Sequence, residues 1–123
     1  MPSYDDAVTM PAGWPGVTAD TWYGTPGLKV GGKGFCRMWS DREYKRDGVD
    51  DTEVLVVLCD VDEKEALIDA SDGVLFSTSH YDGHGGMLIR LADVEPAALE
   101  DYLLDSWYTK ATPKLIAELG DAA

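Results

Sequence analysis

The chain is poor in bases, cysteines, histidines and long apolar runs, and each shortage narrows what it can be. Ten lysines and arginines stand against 23 aspartates and glutamates, a formal charge of −13 over 123 residues. A field of that sign repels phosphate backbones and raises the cost of non-specific nucleic-acid binding. The longest apolar run is the six residues from Val54 to Cys59. It is far too short to span a bilayer, so no membrane association is expected. The opening MPSYDDAV has two acids, no base and no apolar core. It does not read as a secretory signal, and the cytoplasm is the expected compartment. Cys36 and Cys59 both fall in expected strands. Without export they read as reduced, buried small hydrophobes, with a cross-strand disulfide as the alternative.

The usual signatures of catalysis and metal binding are also thin. His80 and His84 are the only histidines, and with Asp82 they give three candidate ligands within five residues. A zinc site needs three or four converging ligands, and Gly83, Gly85 and Gly86 suggest a solvated turn, so neither metal nor cofactor is expected. A Cys36 or Cys59 pairing with His80 is not favoured, because a buried strand cysteine is normally inert. Gly31-Gly32-Lys33-Gly34 lacks the spacing of a phosphate loop and runs into a strand instead of a helix. Asp60, Asp62, Glu63 and Glu65 lack the spacing of a calcium loop and suit the dipole at a helix start. No catalytic residue emerges, and the chain is read as a non-enzyme.

What is present concentrates between Trp22 and Trp39, WYGTPGLKVGGKGFCRMW. Two strand-like runs flank Gly31-Gly32, where a two-residue primed turn needs positive φ. Strand alternation puts Leu28 and Val30 on one face and Lys29 on the other. On the next run it groups Lys33, Phe35, Arg37 and Trp39 opposite Gly34, Cys36 and Met38. Cations interleaved with aromatics can hold phosphate and stack on bases. Lys29, Lys33, Phe35, Arg37 and Trp39 are therefore the candidate nucleic-acid-binding residues. The alternative is that Phe35 and Trp39 pack the sheet while the cations snorkel at its rim. Residues 21–46 carry six bases and two acids, so a basic surface on an acidic body is available.

Elsewhere, Ser3 to Met10 reads as a short capped helix ended by Pro11, and Ala12 to Asp20 as a loop. Thr21-Trp22-Tyr23 starts the sheet. Ser40 to Glu53 reads as a long exposed connection. Val54 to Cys59 reads as the central strand, and Asp60 as the cap of a helix carrying Ala66, Leu67 and Ala70 inward. Val74 to Phe76 and Met87 to Leu91 are further strands. Leu99, Tyr102, Leu103 and Trp107 make one face of a helix, and Pro113 starts a short last one. The pattern predicts one α+β domain over residues 1–123, two-layered, with a mainly antiparallel sheet and helices.

Trp22-Tyr23-Gly24-Thr25-Pro26 leading into Leu28-Lys29-Val30-Gly31-Gly32-Lys33-Gly34-Phe35 resembles the MmcQ/YjbR family, small bacterial domains often labelled DNA-binding. The likeness continues in Val54–Cys59 with its acidic helix and in His80-Tyr81. It returns in Asp105-Ser106-Trp107 and in Pro113-Lys114-Leu115. It implies an α-β(3)-α-β(2)-α order akin to the secretion-chaperone-like fold, followed here by the C-terminal helix. It carries over no catalytic residues. The expectation is a small non-catalytic, monomeric binding module, DNA-binding through the 28–39 hairpin. A protein-interaction or chaperone-like module is the alternative favoured by the acidity.

Overall fold

A computed structural model describes residues 2–50 and 52–122. Among these, five α-helices and six strands follow one another in an α+β arrangement. The order begins α1 (Tyr4–Thr9), β1 (Val17–Trp22), β2 (Thr25–Val30), β3 (Lys33–Met38), α2 (Asp41–Asp47) and β4 (Val54–Leu58). It continues α3 (Val61–Ala70), β5 (Leu75–Phe76), a 3-10 turn (Ser79–Tyr81), β6 (Gly86–Arg90), α4 (Pro96–Lys110) and α5 (Pro113–Ala122). The strands form one sheet in the order β1-β2-β3-β4-β6-β5, and every neighbouring pair is antiparallel.

Local chemistry accounts for most of the boundaries. Gly31 and Gly32 take φ of 57° and 83°, the primed hairpin turn that two glycines predict. Ser3 caps α1 through its hydroxyl, with Asp6 returning the bond. Asp60 caps α3 by accepting from the Asp62 N–H. Pro96 and Pro113 stand at helix starts, where the missing N–H costs nothing.

Three expectations need correction. The loop expected over residues 12–20 is half strand, because Val17–Trp22 pairs along all of Thr25–Val30. The exposed connection Ser40–Glu53 contains α2, whose start is a complete capping box between Ser40 and Glu43 and whose end is Gly48 at φ 70°. Third, strict alternation along Lys33–Trp39 fails. Leu28 pairs Cys36 and Lys29 pairs Gly34, which leaves Phe35 as an extra residue in a β-bulge. Phe35 and Cys36 consequently both enter the large core, whereas Trp39 belongs to a smaller cluster.

That large core lies under α1 and α4, with Leu28, Val30, Leu55, Val57, Met87 and Ile89 from the sheet meeting Ala7, Leu99, Leu103 and Trp107. The opposite face is not left bare. Trp39, Val54, Val56, Tyr81 and Leu88 form a second cluster, with Tyr44 and Val49 of the α2 region packed on it. Between the two clusters β4 is buried from Val54 to Val57. The outer face is where charge and aromatics meet.

Candidate functional site

The hairpin does not bring its five predicted residues together. Lys29 is ion-paired to Asp20 across β1 and β2 at 3.1 Å. Lys33 is exposed at the hairpin tip. Phe35 is wholly buried, and Trp39 and Arg37 are only 3% and 6% exposed. Of the other bases in residues 21–46, Arg46 pairs with Asp47 at 2.9 Å. For Lys33, Arg42 and Lys45 no ion pair is found among the described residues.

Arg37 instead anchors a buried polar network. Its Nη1 and Nη2 donate to the two carboxylate oxygens of Glu43 at 2.7 and 3.0 Å, the planar fork geometry that suits arginine. Tyr81 completes the network. Its hydroxyl accepts from Trp39 Nε1 at 3.1 Å and Arg37 Nη2 at 3.2 Å, and donates to Glu43 at 2.6 Å. Ser40 adds backbone N–H and hydroxyl bonds to Glu43 at 3.1 and 3.0 Å. Burial pushes the Glu43 carboxyl up, but the bonds from Arg37, Tyr81 and Ser40 outweigh it and hold it at about 2. Burial acts against the Arg37 charge too, yet Glu43 and Tyr81 carry its titration above the ordinary value. Burial first, and then the bond to Glu43, raises the Tyr81 phenol.

Over this network lies a cleft of about 280 Å³ on the outer face of the sheet. One side is Trp22 and Tyr23, the other is Tyr81 with His80 and His84, and Arg37 lies among them with Val56 and Leu58 as apolar lining. Trp22 is seated by two glycines. A Cβ on Gly34 would collide with its indole, and one on Gly27 with its Nε1. The indole Nε1 donates to the Cys36 carbonyl at 3.0 Å, which fixes the ring along β2 and β3. Gly86 plays the same part for Tyr81, whose ring occupies the space of a Cβ there.

Tyr23 is the least expected member. It turns β1 into β2 with φ 50°, followed by Gly24 at 79°, and its side chain is 82% exposed. A tyrosine in left-handed backbone costs on the order of 1–3 kcal/mol, and such strain clusters at functional positions. The ring it presents lies 5.7 Å from Trp22, with the Arg37 guanidinium 5.4 Å from its centroid. The same guanidinium is 5.5 Å from the Trp22 ring.

Among the described residues the lining contains no carboxylate, in a chain rich in them. Arg37 Nε, on a side chain 7% exposed, has no hydrogen-bond partner among the described residues. His80 and His84 border the cleft, but among the described residues no group of three or more His, Cys, Asp or Glu could hold a metal ion. Lys64 of α3 ties down this rim through its ammonium, which donates to the carbonyls of Tyr81 and His84.

Arg37 alone links this cleft to the five sequence candidates. Trp22, Tyr23 and Tyr81 stood in the segments that carried the family likeness, with nothing to mark them as a site. Glu43 had a legible signal, the S-x-x-E of Ser40 to Glu43, which marks a helix start and hence a fixed carboxylate.

The YjbR family model matches residues 12–109. An uncharacterized protein of Mycobacterium bovis and the uncharacterized protein Rv2570 of Mycobacterium tuberculosis are each 40% identical over 53 residues, 43% of this chain. That match spans 41% of those curated relatives' own length. Deinococcus radiodurans protein DR2400, solved as a crystal structure with a DUF419 domain, superposes with a TM-score of 0.70. It covers 98% of this chain and 89% of its own at 18% identity, a likeness of fold. Among the described residues no helix is long and apolar enough to cross a membrane.

Proposed function

The chain belongs to the YjbR family, and from that premise we propose that it is a non-catalytic binding module holding a small planar ligand in the outer-face cleft. One observation carries the reading. Tyr23 is kept exposed in a costly left-handed conformation beside Trp22, over a buried arginine. Two aromatic rings at the mouth of an apolar-lined cleft are a stacking surface for a flat molecule. A volume of about 280 Å³ suits one or two fused rings.

Catalysis is a poorer fit. A general acid or base works best when it titrates near the operating pH. Glu43 is held down at about 2, while Arg37 and Tyr81 are pushed up, so each moves away from neutrality.

DNA binding through the 28–39 hairpin loses its physical support, since Phe35 and Trp39 are buried and Lys29 and Arg37 hold acids. A protein-docking patch fares no better. The large apolar residues exposed among the described ones are Tyr23, Val61 and Tyr108, which stand on the β1–β2 turn, α3 and α4.

The test is an NMR titration with 2-naphthamide and 2-naphthoate, and separately with single- and double-stranded DNA at low salt. The reading requires saturable shifts at Trp22 Nε1, Gly85 and Gly86 with at least one ring compound. Silence from both rings overturns it. DNA shifts centred on Lys29 and Lys33, abolished by Lys33→Glu, would put nucleic acid in its place.

A further inference from the structure

We infer that the ligand of this cleft is a small aromatic carboxylate, with Arg37 Nε–H as the donor that selects its carboxylate group. The inference rests on the cleft reading above and adds the chemical class of the ligand.

The first ground is the orphan donor. The four N–H groups on Arg37 Nη1 and Nη2 are spent inside the protein in five contacts, two to Glu43 and one each to Tyr81, the Met38 carbonyl and Thr25. The Nε–H, buried, has no acceptor among the described residues. A buried N–H without an acceptor forfeits its hydration and gets nothing in return, so an acceptor-bearing ligand gains what the apo protein lacks. The pairing with Glu43 also fixes the guanidinium plane, so the donor is preorganised before a ligand arrives.

The second ground is the sign of the lining. In a chain of net charge −13, the lining among the described residues includes no carboxylate and does include Arg37, His80 and His84, each a source of N–H donors. An amine ligand would find no acceptor carboxylate there. The Glu43 oxygens already accept from Arg37, Tyr81 and Ser40.

The third ground is size. The overall negative field penalises a ligand in proportion to its charge, so a polyanion is disfavoured while a monoanion pays little. Trp22 and Tyr23 then supply the ring contact and Arg37 the carboxylate contact, within one cleft of about 280 Å³.

Three isosteric probes decide the matter: 2-naphthoate, 2-naphthamide and 2-naphthylmethylamine, titrated into the intact protein while the Arg37 Nε–H resonance is followed. The expected result is that naphthoate binds at least about tenfold tighter than the other two, because a charge-assisted bond replaces a neutral one or none. The Arg37 Nε–H proton should move downfield on saturation. In Arg37→Lys, which keeps a cation for Glu43 but has no Nε–H, the preference for naphthoate over naphthamide should vanish. Because that variant can fail to fold, the wild-type Nε–H shift is the primary readout. Tighter binding of the amide or the amine, or naphthoate binding with an unmoved Nε–H, overturns the carboxylate assignment while leaving the cleft reading intact. If no probe binds, both fall.

Discussion

Arg37 and Glu43 lie six residues apart, on β3 and α2, and meet as a two-point ion pair of 2.7 and 3.0 Å with side chains only 7% and 10% exposed. The helix that carries Glu43 exists because Ser40 caps it, and the strand that carries Arg37 faces it because of the bulge at Phe35. Buried pairs of this kind rarely beat a well-packed apolar substitute in stability, but removing one partner strands the other.

Glu43→Leu should therefore destabilise the fold by about 3–5 kcal/mol, and Arg37→Met by a similar amount. The double variant Arg37→Met with Glu43→Leu should recover most of that loss. Urea denaturation of the four proteins gives the cycle. Additive losses would show that the two side chains do not act as a pair.

Stability should fall with acid in a defined window. The folded Glu43 carboxyl titrates at about 2 against an ordinary 4.5, so the unfolded chain takes up the proton first. Its stabilisation is complete above the unfolded value and drains away as the pH drops from 4.5 towards 2. Asp47, held down chiefly by Arg46 and then by Thr78, steepens the same loss. Urea midpoints measured across that range should show a slope that is shallower in Glu43→Gln.

Ser106→Ala should cost about 1–3 kcal/mol for each buried backbone group left unpaired. The Ser106 hydroxyl accepts from the Leu58 N–H at 2.7 Å and donates to the Phe35 carbonyl, joining α4 to β4 and to the bulge in β3. Faster amide exchange at Leu58, compared with an otherwise unchanged β4, would locate the effect.

Gly34→Ala should displace the Trp22 indole, because the added methyl would stand inside its ring. Overpacking of that kind costs about 1–3 kcal/mol. Loss of the Trp22 Nε1 bond to the Cys36 carbonyl should appear as an upfield shift of the indole N–H, with weaker ring binding in the cleft.

Tyr23→Asn should separate stability from binding. Asn-Gly suits a primed turn better than Tyr-Gly, so the hairpin should gain about 0.5–1 kcal/mol. The same change removes a wall of the cleft and should abolish naphthoate binding. A variant that is both stabilised and fully competent would mean that the strained tyrosine serves no ligand.

Features that depend on near neighbours in the chain were legible before any fold was known. Two glycines at 31 and 32 demanded a primed turn, Ser3 and Asp60 offered caps, and the apolar run at Val54 could only be an interior strand. Leu99, Leu103 and Trp107 marked a buried helical face by spacing alone. Even α2 was written locally in the Ser40–Glu43 capping box, although its charged composition read as a loop. Pairing between distant strands set the rest. One extra residue at Phe35 shifts the register of side chains along β3, and alternation counted from sequence cannot reveal a bulge that depends on how β2 pairs with it. That shift sends Phe35 into the core and sets Arg37 against Glu43 and Tyr81, residues from two other elements. A basic ribbon in one dimension thus becomes a neutralised, buried arginine beneath two aromatic rings. Charge is additive along a chain, but its exposure is fixed only by what packs against it.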